Sequence, residues 1–432
     1  MNLLAKNCNS KKIQSVITYR FLLILLLISP FVRPQIFNEF KLLANDASIN
    51  NFFGVSVSIS GNRALIGSSG KNSFAGAAYV FDFDKNTNMW VQSATLEASD
   101  AAANNSFGNT VSLLGNRAII GSLRDTDNGT GSGSAYIFEF DTLNNTWLQT
   151  KKLLPTIGAV GDSFGSAVSL SEGRVLVASL GNDIAGNSSG AVYVFDYNSL
   201  TKDWTQTQIL VGNDTANLDA FGISVSLQGD RALIGSYLDD DTSLESGSAY
   251  IFEFDGLLWN QIQKLTANDP ANNDNFGYSV SLFGDRALVS AYRNSDDGEN
   301  AGSVYIFEFD SVNWNQTTNL TALDASANHL FGSSVALVNN KALIGAQGND
   351  LGDPVFDFNS GAAYVFEFDG TTWNQTARII PSDSTALDGF GSSICAFNNK
   401  IIVGAFQNDD SGNSSGSSYI FTDVIFIDGF DF

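Results

Sequence analysis

The chain has 432 residues and carries 45 acidic against 22 basic side chains, a net charge of −23. All five basic residues before Pro34 lie in an acid-free stretch, so the remainder stands at 17 against 45, or −28. So acidic a surface excludes charge-driven binding to a nucleic-acid backbone or an anionic membrane. The 40 Gly, 33 Phe, 12 Tyr and single His describe a turn-rich β chain and not a helical enzyme.

Scattered Lys and Arg in residues 1–20 precede an apolar run from Phe21 to Ser29, then Pro30. This is the shape of a secretory signal over residues 1–33. No small-x-small cleavage site follows, so a retained anchor stands as the alternative. The run is well short of the roughly 20 apolar residues that span a bilayer, and the mature chain is expected to have no membrane span. Beyond Cys8 only Cys395 remains, so no internal disulfide is available and stability must come from core burial or bound ions. Cys395 lies in an apolar run and reads as a small buried residue.

From about residue 36 a single pattern recurs. Phe-Gly begins at Phe53, Phe107, Phe164, Phe221, Phe276, Phe331 and Phe390. About ten residues later comes an apolar run such as Ala64-Leu-Ile-Gly67 or Ala232-Leu-Ile-Gly235. Gly-x-x-Tyr follows, with Tyr at 79, 136, 193, 250, 305, 364 and 419, and then Trp-x-Gln, with Trp at 90, 147, 204, 259, 314 and 373. Each copy predicts four short strands, a to d. Pairs such as Gly61-Asn62 and Gly229-Asp230 suit a two-residue a–b hairpin with positive φ. Tyr250, Phe252 and Phe254 alternate along strand c and so share one face.

A four-stranded unit of this length cannot bury both its apolar faces alone, but radial stacking buries them. The reading is therefore all-β, a seven-bladed β-propeller of four-stranded antiparallel blades over residues 36–421; β-helix coils are usually shorter than this period. The Trp-led strand occurs only six times, while Phe40-Lys-Leu-Leu-Ala44 is similar to Lys264-Leu-Thr-Ala267. The N-terminal strand is thus expected to complete the seventh blade.

These markers resemble the FG-GAP repeat of integrin α-chain propellers, and most closely its bacterial subtype, with Phe-Gly-x-Ser-Val, Ala-Leu-Ile-Gly-Ala and Gly-x-Ala-Tyr-x-Phe. The resemblance implies a secreted or surface protein that binds other proteins or glycans. The integrin repeat carries an Asp-x-Asp-x-Asp-Gly calcium loop between strands a and b. Here that connection is a tight turn with too few oxygens for six to eight ligands, so the integrin calcium site does not carry over.

The b–c connections are acidic instead. Asp125 and Asp127, Asp239 and Asp241, Asp296 and Asp297, and Asp409 and Asp410 are the candidate calcium ligands, set against the reading of solvated loops. Asp46, Asp100, Asp214, Asp269, Asp324 and Asp383 recur seven residues before Phe-Gly, with Ile157 breaking the run. They are expected to accept backbone N–H bonds and fix a turn. The Trp residues are expected to fill equivalent pockets, and His329 to be a solvated loop residue. No Ser/His/Asp set, Cys/His pair or zinc-ligand cluster is present, so no catalysis is expected. The functional expectation is an exported protein- or glycan-binding module. The alternatives are a carbohydrate-active hydrolase using two carboxylates near a channel and a structural surface component. The tail 422–432 reads as a sorting tag or an extra edge strand.

Overall fold

The computed structural model describes residues 37–350 and 358–423. The leader and most of the tail discussed above lie outside them. Among the described residues the chain forms seven four-stranded antiparallel sheets, each ordered a-b-c-d. Blade 4 is representative: strands Phe221–Gln228, Arg231–Ser236, Ser248–Phe254 and Trp259–Leu265 follow one another in sequence and in space. Strand a of each blade packs against strand a of the next, and strand a of blade 7 packs against that of blade 1, which closes the ring.

Closure uses the chain's first strand, Phe37–Leu42, which pairs antiparallel with Ser417–Asp423 as the outermost strand of blade 7. The expected N-terminal closure is what the fold contains.

Each sequence marker has a physical job. Gly61 opens the a–b hairpin of blade 1 at φ 64°, and Asn339 and Asn398 take the same role in blades 6 and 7 at φ 53° and 55°. The Phe side chain of Phe-Gly is buried against two strand-c rings of its own blade. Phe53 lies 5.4 Å from Tyr79 and 6.0 Å from Phe81, edge-on, a favoured aromatic geometry. Its backbone meets the preceding blade: Phe107 N donates to Ala75 O and Phe164 N to Ser132 O, at 3.1 and 2.9 Å. Gly76 and Gly133, the glycines of Gly-x-x-Tyr, touch the same Phe residues. A Cβ on Gly133 would stand 2.1 Å from Phe164 O, so the contact admits only glycine. The seam between blades 7 and 1 repeats it, with Phe53 N donating to Ser415 O at 3.1 Å.

The Ser-Val-Ser segment of strand a serves the axis. Ser56 and Ser58 Oγ accept N–H bonds from Val111 and Leu113 of the next blade, each at 3.0 Å. Cys395 stands where this second Ser would be in blade 7, half-buried beside blade 1. As expected it is a small apolar residue, but a half-buried one, packed at the seam against the hydrophobic cluster of blade 1.

Candidate functional site

The two ends of the ring differ. At the end bearing the a–b and c–d turns, the first residue of strand b staples blades together. Arg63 pairs with Asp82 at 2.7 Å in its own blade, and its guanidinium lies 4.2 and 5.1 Å from the Phe140 and Trp147 rings of the next. Arg117, Arg174, Arg231 and Arg286 repeat this arrangement toward the following blades. The Trp residues thus pack as expected, Trp90, Trp204, Trp259 and Trp314 buried and the other two half-buried. A cavity of about 570 Å³ at this end is lined by Leu114, Arg117, Glu139, Phe140, Leu170 and Glu172 among others. Its Glu139 is held by Arg117 at 2.6 Å.

The end bearing the b–c and d–a connections holds the candidate acids, and in most blades they converge on one tyrosine. In blade 2, Tyr136 Oη donates to Asp100 and lies 2.8 Å from Asp125 Oδ2. Lys152, opposite Tyr136 in the strand register, sets its ammonium 2.6, 3.1 and 2.7 Å from Asp100, Asp125 and Asp127. Blade 4 repeats the node: Lys264 lies 2.8, 3.0 and 2.6 Å from Asp214, Asp239 and Asp241. Asp125 and Asp239 are buried, at 2% and 1% exposure. Burial pushes the Asp125 carboxyl up, but Tyr136 and Lys152 more than offset this and hold it below the ordinary range.

The other nodes vary one member at a time. In blade 7 the cation is Lys41, from the N-terminal strand, paired with Asp383 and Asp410. In blade 6 it is Arg378, 3.1 Å from Asp324 and bonded to Asn349. In blade 1 it is Lys71, which comes from a single turn at 71–74 in the b–c connection and lies 2.8 Å from Asp46. Blade 3 drops the charges together: Ile157 replaces the Asp, Ile209 the Lys, and Tyr193 Oη donates to the Ile157 carbonyl at 2.9 Å.

This geometry corrects two expectations. Asp46, Asp100, Asp214, Asp324 and Asp383 accept from tyrosine hydroxyls and pair with cations. The backbone turns are fixed by other acids: Asp219, Asp274 and Asp388 accept N–H bonds from residues three earlier, Ala216, Ala271 and Thr385. His329 is buried at 7% exposure, not solvated. Its Nδ1 sits 3.0 Å from Asn349 Nδ2, and burial lowers its pKa.

For calcium, Asp125 comes together with Asp127 and Asp239 with Asp241, but around the ammoniums of Lys152 and Lys264, which already take the position a cation would take. Asp409 binds the Ser414 N–H at 2.7 Å instead of converging with Asp410. Asp296 and Asp297 are exposed. Among the described residues no three His, Cys, Asp or Glu side chains are arranged to hold a metal ion. The residues present in blades 2, 4 and 7 suit an ammonium and not calcium.

The FG-GAP repeat family matches residues 37–81, 90–138, 147–195, 204–252, 259–307, 314–366 and 373–421. The chain belongs to the FG-GAP repeat family. Each FG-GAP match begins at a strand d and ends in the next blade's strand c, so a sequence repeat straddles a seam between blades. Seven such repeats necessarily leave one blade to be assembled from both chain ends. No curated protein matches the chain. Among the described residues of this FG-GAP chain no helix is long and apolar enough to cross a membrane.

Proposed function

We propose that the protein is an exported or cell-surface binding module that takes a protein or glycan ligand on the b–c/d–a end of the ring and performs no catalysis. The observation that carries this reading is a break in the repeat at blades 4 and 5. The residue after strand b is Ser69, Leu123 or Leu180 in blades 1 to 3, Gln347 in blade 6 and Phe406 in blade 7, but tyrosine, Tyr237 and Tyr292, in the adjacent blades 4 and 5. Tyr278, in strand a of blade 5, joins them. The Tyr278 and Tyr292 rings stack at 4.0 Å, Tyr237 meets Tyr278 edge-on at 5.8 Å, and exposed Arg293 lies 5.2 Å from the Tyr292 ring. Tyr237 and Tyr278 are half-buried and Arg293 is exposed, with Tyr292 buried as their stacking partner; a single ligand needs a surface that is not repeated seven times, and tyrosine beside arginine favours binding.

The expectation of no turnover is supported by what most of the carboxylates do. In blades 1, 2, 4, 6 and 7 the convergent acids are held by a lysine or arginine and a tyrosine, an arrangement that recurs as a scaffold does. The test is saturable binding to a panel of polysaccharides and matrix proteins, with product release followed in parallel. Binding that is lost in Tyr237→Ala and Arg293→Ala, without product, supports the module. Release of sugar products would overturn it.

A further inference from the structure

Blades 5 and 7 carry the same residues around strand c. Asp269, Asp274, Asn294, Asp296 and Tyr305 of blade 5 occupy the repeat positions of Asp383, Asp388, Asn408, Asp410 and Tyr419. The sixth position differs. Blade 7 places Lys41 opposite Tyr419, whereas blade 5 places Asn319 opposite Tyr305. Among the described residues no lysine or arginine pairs with Asp269, Asp274 or Asp296.

Tyr305 supplies an independent observation. It is wholly buried, at 0% exposure, and its hydroxyl has no hydrogen-bond partner. Burial, then the charge of Asp269 and the hydroxyl's loose approach to that carboxylate, then the charges of Asp274 and Asp296, hold the hydroxyl protonated, but it makes no well-formed hydrogen bond to Asp269 of the kind its counterparts make in blades 1, 2, 4, 6 and 7. Asp274 and Asn294 form the buried floor, with Asn294 Nδ2 at 3.5 Å from Asp274 and 3.4 Å from Asp296. Asp269 and Asp296 stand exposed at the mouth. The notch is therefore open to solvent, unlike a sealed core defect.

We propose that this blade 5 notch binds a primary ammonium delivered from outside, the lysine side chain of a protein partner, seated as Lys152, Lys264 and Lys41 are seated in blades 2, 4 and 7. The chemistry of those nodes specifies an ammonium. Its three N–H donors meet carboxylates on two sides, and the tyrosine ring offers its face, with Nζ at 5.2, 5.5 and 5.3 Å from the ring centroids. A buried phenol that faces carboxylates without a bond gains a partner when the cation arrives, since its oxygen can accept from the ammonium while its proton goes to Asp269. The proposal deepens the binding reading by naming the partner's chemistry. The site is tested without any partner, so its failure leaves the tyrosine surface of blades 4 and 5 untouched.

The probe is n-butylammonium chloride against sodium chloride at equal ionic strength, about 50 mM, with melting temperature as the readout; the wild-type protein is expected to gain about 1–3 °C from butylammonium. Asn319→Lys should melt higher than wild type by itself and lose the butylammonium response. Asp269→Asn, at the exposed mouth, should fold normally and also lose it. An equal response in wild type and in both variants, or none in wild type, overturns the proposal. So does a melting shift with calcium that Asn319→Lys abolishes, which would make the notch a metal site.

Discussion

Blade 7 and blade 5 are near-copies with opposite histories of assembly. Blade 5 is continuous in sequence, from Phe276 to Leu320. Blade 7 is stitched from strands separated by the whole ring, and its outer strand brings Lys41 into a cluster made by Asp383, Asp410 and Tyr419. Among the described residues the continuous blade gives its carboxylates no lysine or arginine; the stitched blade does. The difference teaches that the lysine at this node is not required to build a blade, because Asn319 supports the same strand register. In blade 7 it adds a charge pair to the junction that decides whether the ring is closed.

The most forceful way to break the comparison is to remove residues 36–44. Blade 7 then loses its outer strand, Lys41 and the buried Leu42 at once, whereas every other blade stays whole. A fall in melting temperature of about 10 °C or more is expected, since the strand ladder, the apolar burial and the charge pair are lost together. Adding a peptide of residues 36–44 in trans should restore part of it. A negligible change would mean that closure does not depend on the N-terminal strand.

Next in size are Phe276→Ala and Phe390→Ala. Both rings are buried, at 1% and 0% exposure, against the tyrosine and phenylalanine of strand c, at 5.5 and 6.0 Å for Phe276 and 5.6 and 6.0 Å for Phe390. Each should cost about 3–5 kcal/mol by urea denaturation. If blade 7 is as well packed as blade 5, the two losses agree within about 1 kcal/mol. A much smaller loss for Phe390→Ala would show that the stitched blade frays independently of the ring.

Lys41→Asn converts the blade 7 node into that of blade 5. It leaves Asp383 and Asp410 without their cation at the exposed mouth of the node, and should destabilise by about 1–2 kcal/mol for the two pairs, less at high salt. If the variant is as stable as the parent, the lysine serves no closing role and the comparison between the blades loses its energetic content.

How much of this was legible in the sequence depended on distance along the chain. The Phe-Gly, Gly-x-x-Tyr and Trp-x-Gln markers sit within one repeat, and their packing and turn roles follow from local geometry. Ring closure was legible because Phe40 to Ala44 repeats a strand-d pattern. The nodes were not read. Their partners lie 23 or more residues apart, as in Lys264 with Asp241 and Asp214 or Lys41 with Asp383, and only the strand register brings them together. The signal was present: the residue before the last apolar position of strand d is Lys41, Lys152, Lys264 or Arg378 in four blades. His329 was misjudged for the same reason, since its neighbour Asn349 is 20 residues away.

The smallest expected effect concerns a pairing rule that blades 5 and 7 both obey and blade 4 breaks. The residue two before Phe-Gly faces a partner in the b–c connection, and one of the two is an amide: Asp274 with Asn294, Asp162 with Asn182, Asn105 with Asp125. In blade 4 both are acids, Asp219 and Asp239. Burial, and then the nearby Asp239, Asp240 and Asp241 charges, outweigh the N–H bond from Ala216 and push Asp219 up to about 6. Because the folded pKa is raised above the ordinary carboxylate value near 4, the folded state holds a proton that the unfolded chain has released. The site's contribution is thus fully present below about pH 4, declines as pH rises toward about 6, and is level above that. Asp219→Asn keeps an oxygen for Ala216 N–H and supplies the missing amide toward Asp239. It should therefore stabilise the protein by about 0.5–1 kcal/mol at pH 7.5, less than the full equivalent of the shift because solvent screens part of it, and by almost nothing at pH 4. Urea midpoints at the two pH values decide the matter: a gain of the same size at both would assign the benefit to packing, and remove the charge conflict that sets blade 4 apart from blades 5 and 7.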